Sequence, residues 1–332
     1  MANKFIVAPA PHMHNPHSTQ SLMRDVIIAL LPALAVSAWV YGLGVLMVTA
    51  IAIVSCVVFE YIFQRLFLGG RQTITNLSAI VTGLLLAFNL PTSIPWWIIV
   101  VGALVAIGVG KMTYGGLGKN PFNPALVGRV FLLIAYPVQM TSFAQPSVSG
   151  YVDAMSGATP LASVKALAAD GSLAESLGSV DLSNMFIGMM PGSMGEIAAM
   201  ALILGGLYML WRKVITWHIP VSILLTMAIF AFAVVLLSGE KGAVLYEFPA
   251  FHLLAGGALL GAIFMATDYV TSPMTHKAMV IYGIGIGLIT MVIRLWGAYP
   301  EGMSFAILIM NAVTPLLNKY IKPRRFGKTS AK

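Results

Sequence analysis

Apolar runs long enough to approach the thickness of a bilayer alternate with short polar turns along almost the whole chain. A membrane-crossing helix needs about 20 mostly apolar residues. Ten stretches approach that requirement: 26–41, 45–68, 74–90, 94–112, 123–140, 195–211, 215–237, 251–267, 278–296 and 303–320. Most connections are short Gly/Pro turns, and the longest polar segment is 141–193. The pattern predicts an all-α polytopic membrane protein of about ten transmembrane helices.

Composition agrees. Of 332 residues, 58% are hydrophobic and 9% charged, against about 25% charged in soluble domains. The formal charge of +8 comes from Lys and Arg at helix ends. These read as topology anchors in contact with membrane lipid, not as a nucleic-acid surface. With ten spans and a cytoplasmic N-terminus, only Lys165, Lys241 and Arg294 of the 19 Lys and Arg residues fall outside. Both termini are therefore expected in the cytoplasm and 141–193 outside it. The single cysteine, Cys56, allows no internal disulfide and no iron–sulfur cluster, so redox work requires an organic cofactor or a partner chain. Residues 1–24 lack the pattern of a cleavable signal. His12, His14 and His17 within them fit no tight metal site.

The halves look related. Spans three and eight each end in a Pro-broken polar run, at 87–95 and 266–273, and each is followed by a Gly-rich span. Each half then reaches a span with Asn and Pro inside it: Asn123-Pro124 in one, Asn311 to Pro315 in the other. Five spans per half place the halves in opposite orientation, the arithmetic of an inverted repeat. The expected division is a cytoplasmic tail (1–24), a first five-helix repeat (25–140), an extracytoplasmic loop (141–193), a second repeat (194–320) and a basic cytoplasmic tail (321–332).

Polar groups inside the spans are few, and intramembrane ionisable residues usually mark a pathway or a pair. Asp268, Asn89, Asn123 and Asn311 are the candidates for an ion path. Asp268 reads equally as a turn residue before Pro273. Glu60 reads as pairing near the cytoplasmic end, with Arg65 as the nearby partner. Arg129 either serves a helix terminus or holds an anionic ligand. The run Gly115–Pro124 reads as a tight turn with Gly and Asn supplying positive φ; it is no Walker A loop, because Asn120 follows Lys119 and no strand precedes it.

The stretch from Asp153 to Leu161, with Ser156-Gly157-Ala158-Thr159-Pro160 inside it, stands apart. Gly157 and Ala158 remove bulk beside Thr159, and Pro160 biases Thr159 toward an extended backbone. That presents a hydroxyl on an accessible loop, as a modifying enzyme needs. By residues alone it is also an unremarkable turn.

Three places, 114–126, Asp153 to Leu161, and Met265 to Asp268 with Ser272-Pro273, carry a resemblance to the RnfD/NqrB family of ion-translocating electron-transport complexes. The resemblance covers essentially the whole chain. It implies that a flavin transferase moves FMN from FAD onto Thr159 through a phosphoester, with Asp153, Ser156, Gly157 and Ala158 forming the recognised motif; Ala154 stands where that motif more often has Gly. It implies a ferredoxin:NAD+ oxidoreductase in a bacterial or archaeal cytoplasmic membrane, with RnfA, RnfB, RnfC, RnfE and RnfG as partner subunits. It implies a urea/ammonium-transporter-like fold, no catalytic residue on the chain itself, and room for a second, non-covalent flavin, riboflavin, near the inner face. The short segment before the first span favours RnfD over NqrB. The residues alone leave open a solute transporter or channel of the same fold.

Overall fold

The computed structural model describes residues 18–67, 69, 73–145, 156–170, 177–178, 180–197, 199–299 and 301–323. Helix α1 (Thr19–Tyr41) is capped by Ser18, whose side chain accepts from the Ser21 N–H. A turn at Gly42 leads into α2 (Gly44–Phe67). A 3₁₀ turn and the left-handed Leu77 then introduce the short α3 (Ser78–Phe88). Helix α4 (Trp96–Leu104) continues as a π-turn, Val105–Val109. Asn123 caps α5 (Pro124–Ala135), and α6 (Pro137–Thr141) follows.

Next comes a small layer folded over one end of the bundle. Strand β1 (Phe143–Ala144) pairs antiparallel with β2 (Ser156–Gly157), and helices α7 (Pro160–Asp170) and α8 (Leu182–Ile187) come after them. The second half holds α9 (Ala199–Trp211), α10 (His218–Leu237), α11 (Val244–Leu254), α12 (Ala258–Leu260) with its π-turn Gly261–Met265, α13 (His276–Trp296) and α14 (Met303–Tyr320).

By length and composition, five helical segments suffice to cross a membrane: Thr19–Tyr41, Gly44–Phe67, Trp96–Tyr114, His218–Leu237 and His276–Trp296. The pair Val244–Leu254 and Ala258–Met265, bent by 60°, makes a sixth. Large apolar side chains such as Trp39, Leu204, Leu225 and Ile229 are exposed on the helices of the bundle, as a lipid-facing surface requires. Among the described residues the protein is thus an all-helical polytopic membrane protein apart from one two-stranded ladder.

Spans three, five and eight differ from the sequence pattern; span five stops at Ala135 and resumes as Pro137–Thr141. Span three contracts to the eleven residues of α3. Span eight begins earlier than expected and breaks in its middle, where Gly256 (φ 66°) and Gly257 (φ 61°) both take the left-handed conformation. Adjacent left-handed residues cannot continue an α-helix, and glycine adopts them without steric cost.

The helices pair as α1 with α9, α2 with α3 and α4, α10 with α11 and α13, α13 with α14, and α5 with α14. Without a hydrophobic driving force between helices in lipid, close approach depends on small residues. Gly205 of α9 shows it: a Cβ there would lie 2.1 Å from the carbonyl oxygen of Ala29 in α1. Gly205→Ala is expected to cost about 1–3 kcal/mol by overpacking. Thermal unfolding in detergent checks this against Gly178→Ala, where a Cβ meets nothing within 4 Å; equal melting of the two variants would contradict the close approach.

Candidate functional site

Where helices break inside the bundle, their backbone groups need protein partners, and asparagines supply several. Asn123 accepts from the Ala125 N–H (3.1 Å) and donates from Nδ2 to the carbonyl of Met265 (3.1 Å), at the end of the second π-turn. Asn89, just past α3, donates to the Leu85 carbonyl (2.6 Å) and reaches Met265 Sδ at 3.7 Å. The surroundings orient the Asn311 amide with its nitrogen toward Tyr282 Oη (2.6 Å) and the Ile307 carbonyl (3.2 Å), and its oxygen toward the Asn123 N–H (3.1 Å). The three asparagines singled out from the sequence therefore converge on one buried centre. The backbone joins it: Gly195 N–H donates to the Phe88 carbonyl at the end of α3 (2.8 Å).

Asp268 lies to one side of this centre. It lines a cavity with Ser78, Thr82, Lys111, Asn120, Asn123 and Thr267, and Thr271 donates to its carboxylate at 3.3 Å. Lys111 is almost fully buried and contacts Glu60 (2.6 Å) and Ser78 Oγ (2.7 Å). Gln64 also donates to Glu60, at 3.1 Å. The expected pairing of Glu60 with Arg65 is thereby corrected: Arg65 donates to Tyr61 Oη instead. A helix places residues five apart on different faces, whereas α2 packs directly on the segment that carries Lys111. Lys111 is a buried partner, not an anchor at the lipid surface. In the Gly115–Pro124 turn, positive φ is taken by Gly115, Gly116 and Gly118, not by asparagine.

The opposite end carries the second polar cluster. Thr159 caps the start of α7, its Oγ1 accepting from the Ala162 N–H at 3.3 Å. It is buried, at 3% exposure, so the expectation of an accessible loop hydroxyl is corrected. Pro160 starts a helix here, and α7 folds down on the bundle. Thr159 and Ala158 line a cavity of about 190 Å³ with Arg129, Tyr299 and Glu301. Arg129 pairs with Glu301 and donates to Ser304 Oγ, while its Nε is buried with no partner. Lys165 secures α7 by donating to the carbonyls of Gly297 and Tyr299; partial burial lowers its ammonium below the ordinary lysine value. Gly157 pairs through β2 with Phe143. The backbone of Ser156 belongs to the same strand, and Asp153 lies outside the described residues.

Close by, Arg294 gathers the carbonyls of His252 (2.5 Å), Ala255 (2.7 Å) and Gly256 (3.1 Å) at the break in span eight. Glu196 accepts from the Ser193 N–H (3.3 Å) and from the Gly256 N–H. Sequence reasoning missed this cluster. Arg294 reads from the sequence only as one of three basic residues on the outer side, and neither Glu196 nor His252 stands among the candidates. The Gly256-Gly257 pair was the available signal that a break there would need a cation.

A helical membrane protein whose spans break against a buried polar centre, with charged clusters toward both ends, has the build of a membrane-embedded carrier or redox subunit. The particular family follows from comparison: the chain belongs to the NQR2, RnfD, RnfE family, whose model matches residues 6–327. It is similar to the D subunit of the Na(+)-translocating ferredoxin:NAD(+) oxidoreductase complex of Acetobacterium woodii, with 48% identity over 98% of this chain and 96% of that protein. It is similar to the D subunit of the proton-translocating ferredoxin:NAD(+) oxidoreductase complex of Clostridium ljungdahlii, with 42% identity over 98% and 97%. It also resembles the D subunit of the ion-translocating oxidoreductase complex of Escherichia coli, with 36% identity over 97% and 98%.

The Glu60–Lys111 pair is testable independently of function. Lys111→Met leaves a buried carboxylate unpaired and is expected to cost about 3–5 kcal/mol. Adding Glu60→Gln should recover most of that loss. Denaturant unfolding in detergent measures both, and a single variant as stable as wild type would contradict a buried pair.

Proposed function

We propose that the chain is the D subunit of an ion-translocating ferredoxin:NAD+ oxidoreductase complex and carries FMN on Thr159. The observation that carries the flavin assignment is the cavity at Thr159. A threonine hydroxyl and a buried arginine with an unpartnered N–H line the same space, which suits a phosphodiester anion. The named functions of the relatives favour this reading over a plain solute channel.

In maturation, Thr159 Oγ1 bonds to the flavin-side phosphorus of FAD, the pyrophosphate bond breaks, AMP leaves and the hydroxyl proton is released. Because Thr159 is buried beneath the first turn of α7, a flavin transferase must act before α7 docks. When bound, the isoalloxazine supplies the electron chemistry. The chain's own part is to tether the group, to surround its phosphate with Arg129, Ser304 and Tyr299, and to close the site with α7 through Lys165. Covalent attachment keeps the redox group in place without a binding equilibrium. RnfA, RnfB, RnfC, RnfE and RnfG are the expected partner subunits.

Three finer readings belong to the proposal. Residues 25–140 and 194–320 form two inverted five-helix repeats. Exchange of the halves maps α1 on α9, α2 on α10, α4 on α13 and α5 on α14. The observed pairings α2–α4 and α10–α13 correspond under that exchange, as do α4–α5 and α13–α14, and the contacts α1–α9 and α5–α14 map on themselves. The Lys and Arg distribution supports cytoplasmic termini and an extracytoplasmic Thr159. Ion coupling runs past Asp268, with Asn89, Asn123 and Asn311 holding the broken helices beside it. The relatives' names specify sodium in one case and protons in another.

Co-expressed with the transferase, the wild-type chain is expected to give a fluorescent band on a denaturing gel under ultraviolet light, and Thr159→Ala a dark one; a dark wild-type band removes the flavin assignment. In the reconstituted complex, Asp268→Asn is expected to lower ion transport severalfold while leaving gel fluorescence intact. Unchanged transport would take Asp268 out of the path.

A further inference from the structure

Arg129 is the buried cation whose role the sequence left undecided, and its surroundings in the structure are specific. It leaves α5 in the middle of the helix, so it does not serve a helix terminus. Its guanidinium is paired with Glu301 and bonded to Ser304, both buried, and Nε has no partner. An unpartnered buried N–H calls for an explanation; Arg294 Nε is also without a partner, and what sets Arg129 apart is the cavity it lines. Thr159 lines the same cavity. Its neighbours there are otherwise apolar or neutral, apart from the Glu301 carboxylate, which repels an anion.

We propose that Arg129 is the positioning residue for the phosphodiester of the flavin on Thr159, and that Glu301 holds Arg129 in place in the unmodified chain. The inference rests on the flavin assignment above. A phosphodiester carries one negative charge and acceptor oxygens that match the fork of a guanidinium. Joined to Thr159, it supplies the acceptor that Nε lacks. Glu301 pairs with the other edge of the guanidinium: it keeps a buried arginine from being left alone before the flavin arrives and leaves Nε open for the phosphate. Glu301 sits in the connection between α13 and α14, next to the Gly297 and Tyr299 carbonyls that fasten α7 through Lys165.

The test uses the full chain co-expressed with the transferase and purified in a phosphorus-free detergent. Because Arg129→Gln alone strands Glu301, the double variant Arg129→Gln/Glu301→Gln is the informative one, its two amides being able to bond each other. Gel fluorescence reports covalent loading, and phosphorus NMR of the native protein reports the surroundings of the phosphate. Wild type should show a phosphodiester resonance displaced from its position in the denatured protein. Read on the chains that load, the double variant should lose that displacement, and Arg129→Lys should restore part of it. A loaded double variant whose native resonance matches wild type overturns the role of Arg129 while leaving the flavin assignment standing. A dark wild-type band overturns both. A displaced resonance that persists in Thr159→Ala belongs to a bound phospholipid and also overturns the proposal.

Discussion

In a bilayer, no water is available to the backbone where a helix stops. Every carbonyl and N–H released by a break must find a partner in the protein. This one requirement explains several of the buried polar residues among those described. The end of α3 is met by backbone from the segment before α9, the second π-turn by Asn123, and the break at Gly256-Gly257 by Arg294. The guanidinium there occupies the negative end of a half-helix, the position a bound cation takes in other broken-helix proteins.

Satisfying the breaks with side chains from the other half also fixes how the halves meet. Asn123 of α5 holds Met265, and Asn311 of α14 holds the Asn123 backbone. The pairing of α5 with α14 and the position of the second π-turn are consequently one arrangement. Asp268 follows three residues after Met265, so its place in the cavity beside Lys111 is set by the same contacts. At the other end, Arg129 leaves α5 toward Glu301 and Ser304 at the start of α14. A single helix pair thus supports both the proposed ion path and the proposed flavin site.

Much of this is legible in the sequence, and what is not has physical reasons. The apolar runs locate the helices, because composition in lipid is strongly constrained. The asparagines are identifiable because a polar amide in such a run needs a partner. Their convergence is not, since it depends on how α3, α5 and α14 cross. Nearness along the chain assigns Glu60 to Arg65, whereas its partner, Lys111, comes from α4's continuation through long-range packing. Lys111 is disguised by its position at a span end, where lysines ordinarily anchor. Thr159 is recognisable by its motif, but its burial depends on α7 folding back through Lys165, which no local pattern states.

A covalent bond at one oxygen, Thr159 Oγ1, underlies the proposed electron-carrying role. Mass measurement of the tryptic peptide 130–165, from the chain co-expressed with its transferase, tests that bond most directly. The expected result is an added FMN less one water, with fragmentation placing it on Thr159. An unmodified peptide, or the same addition on a different residue, would contradict it.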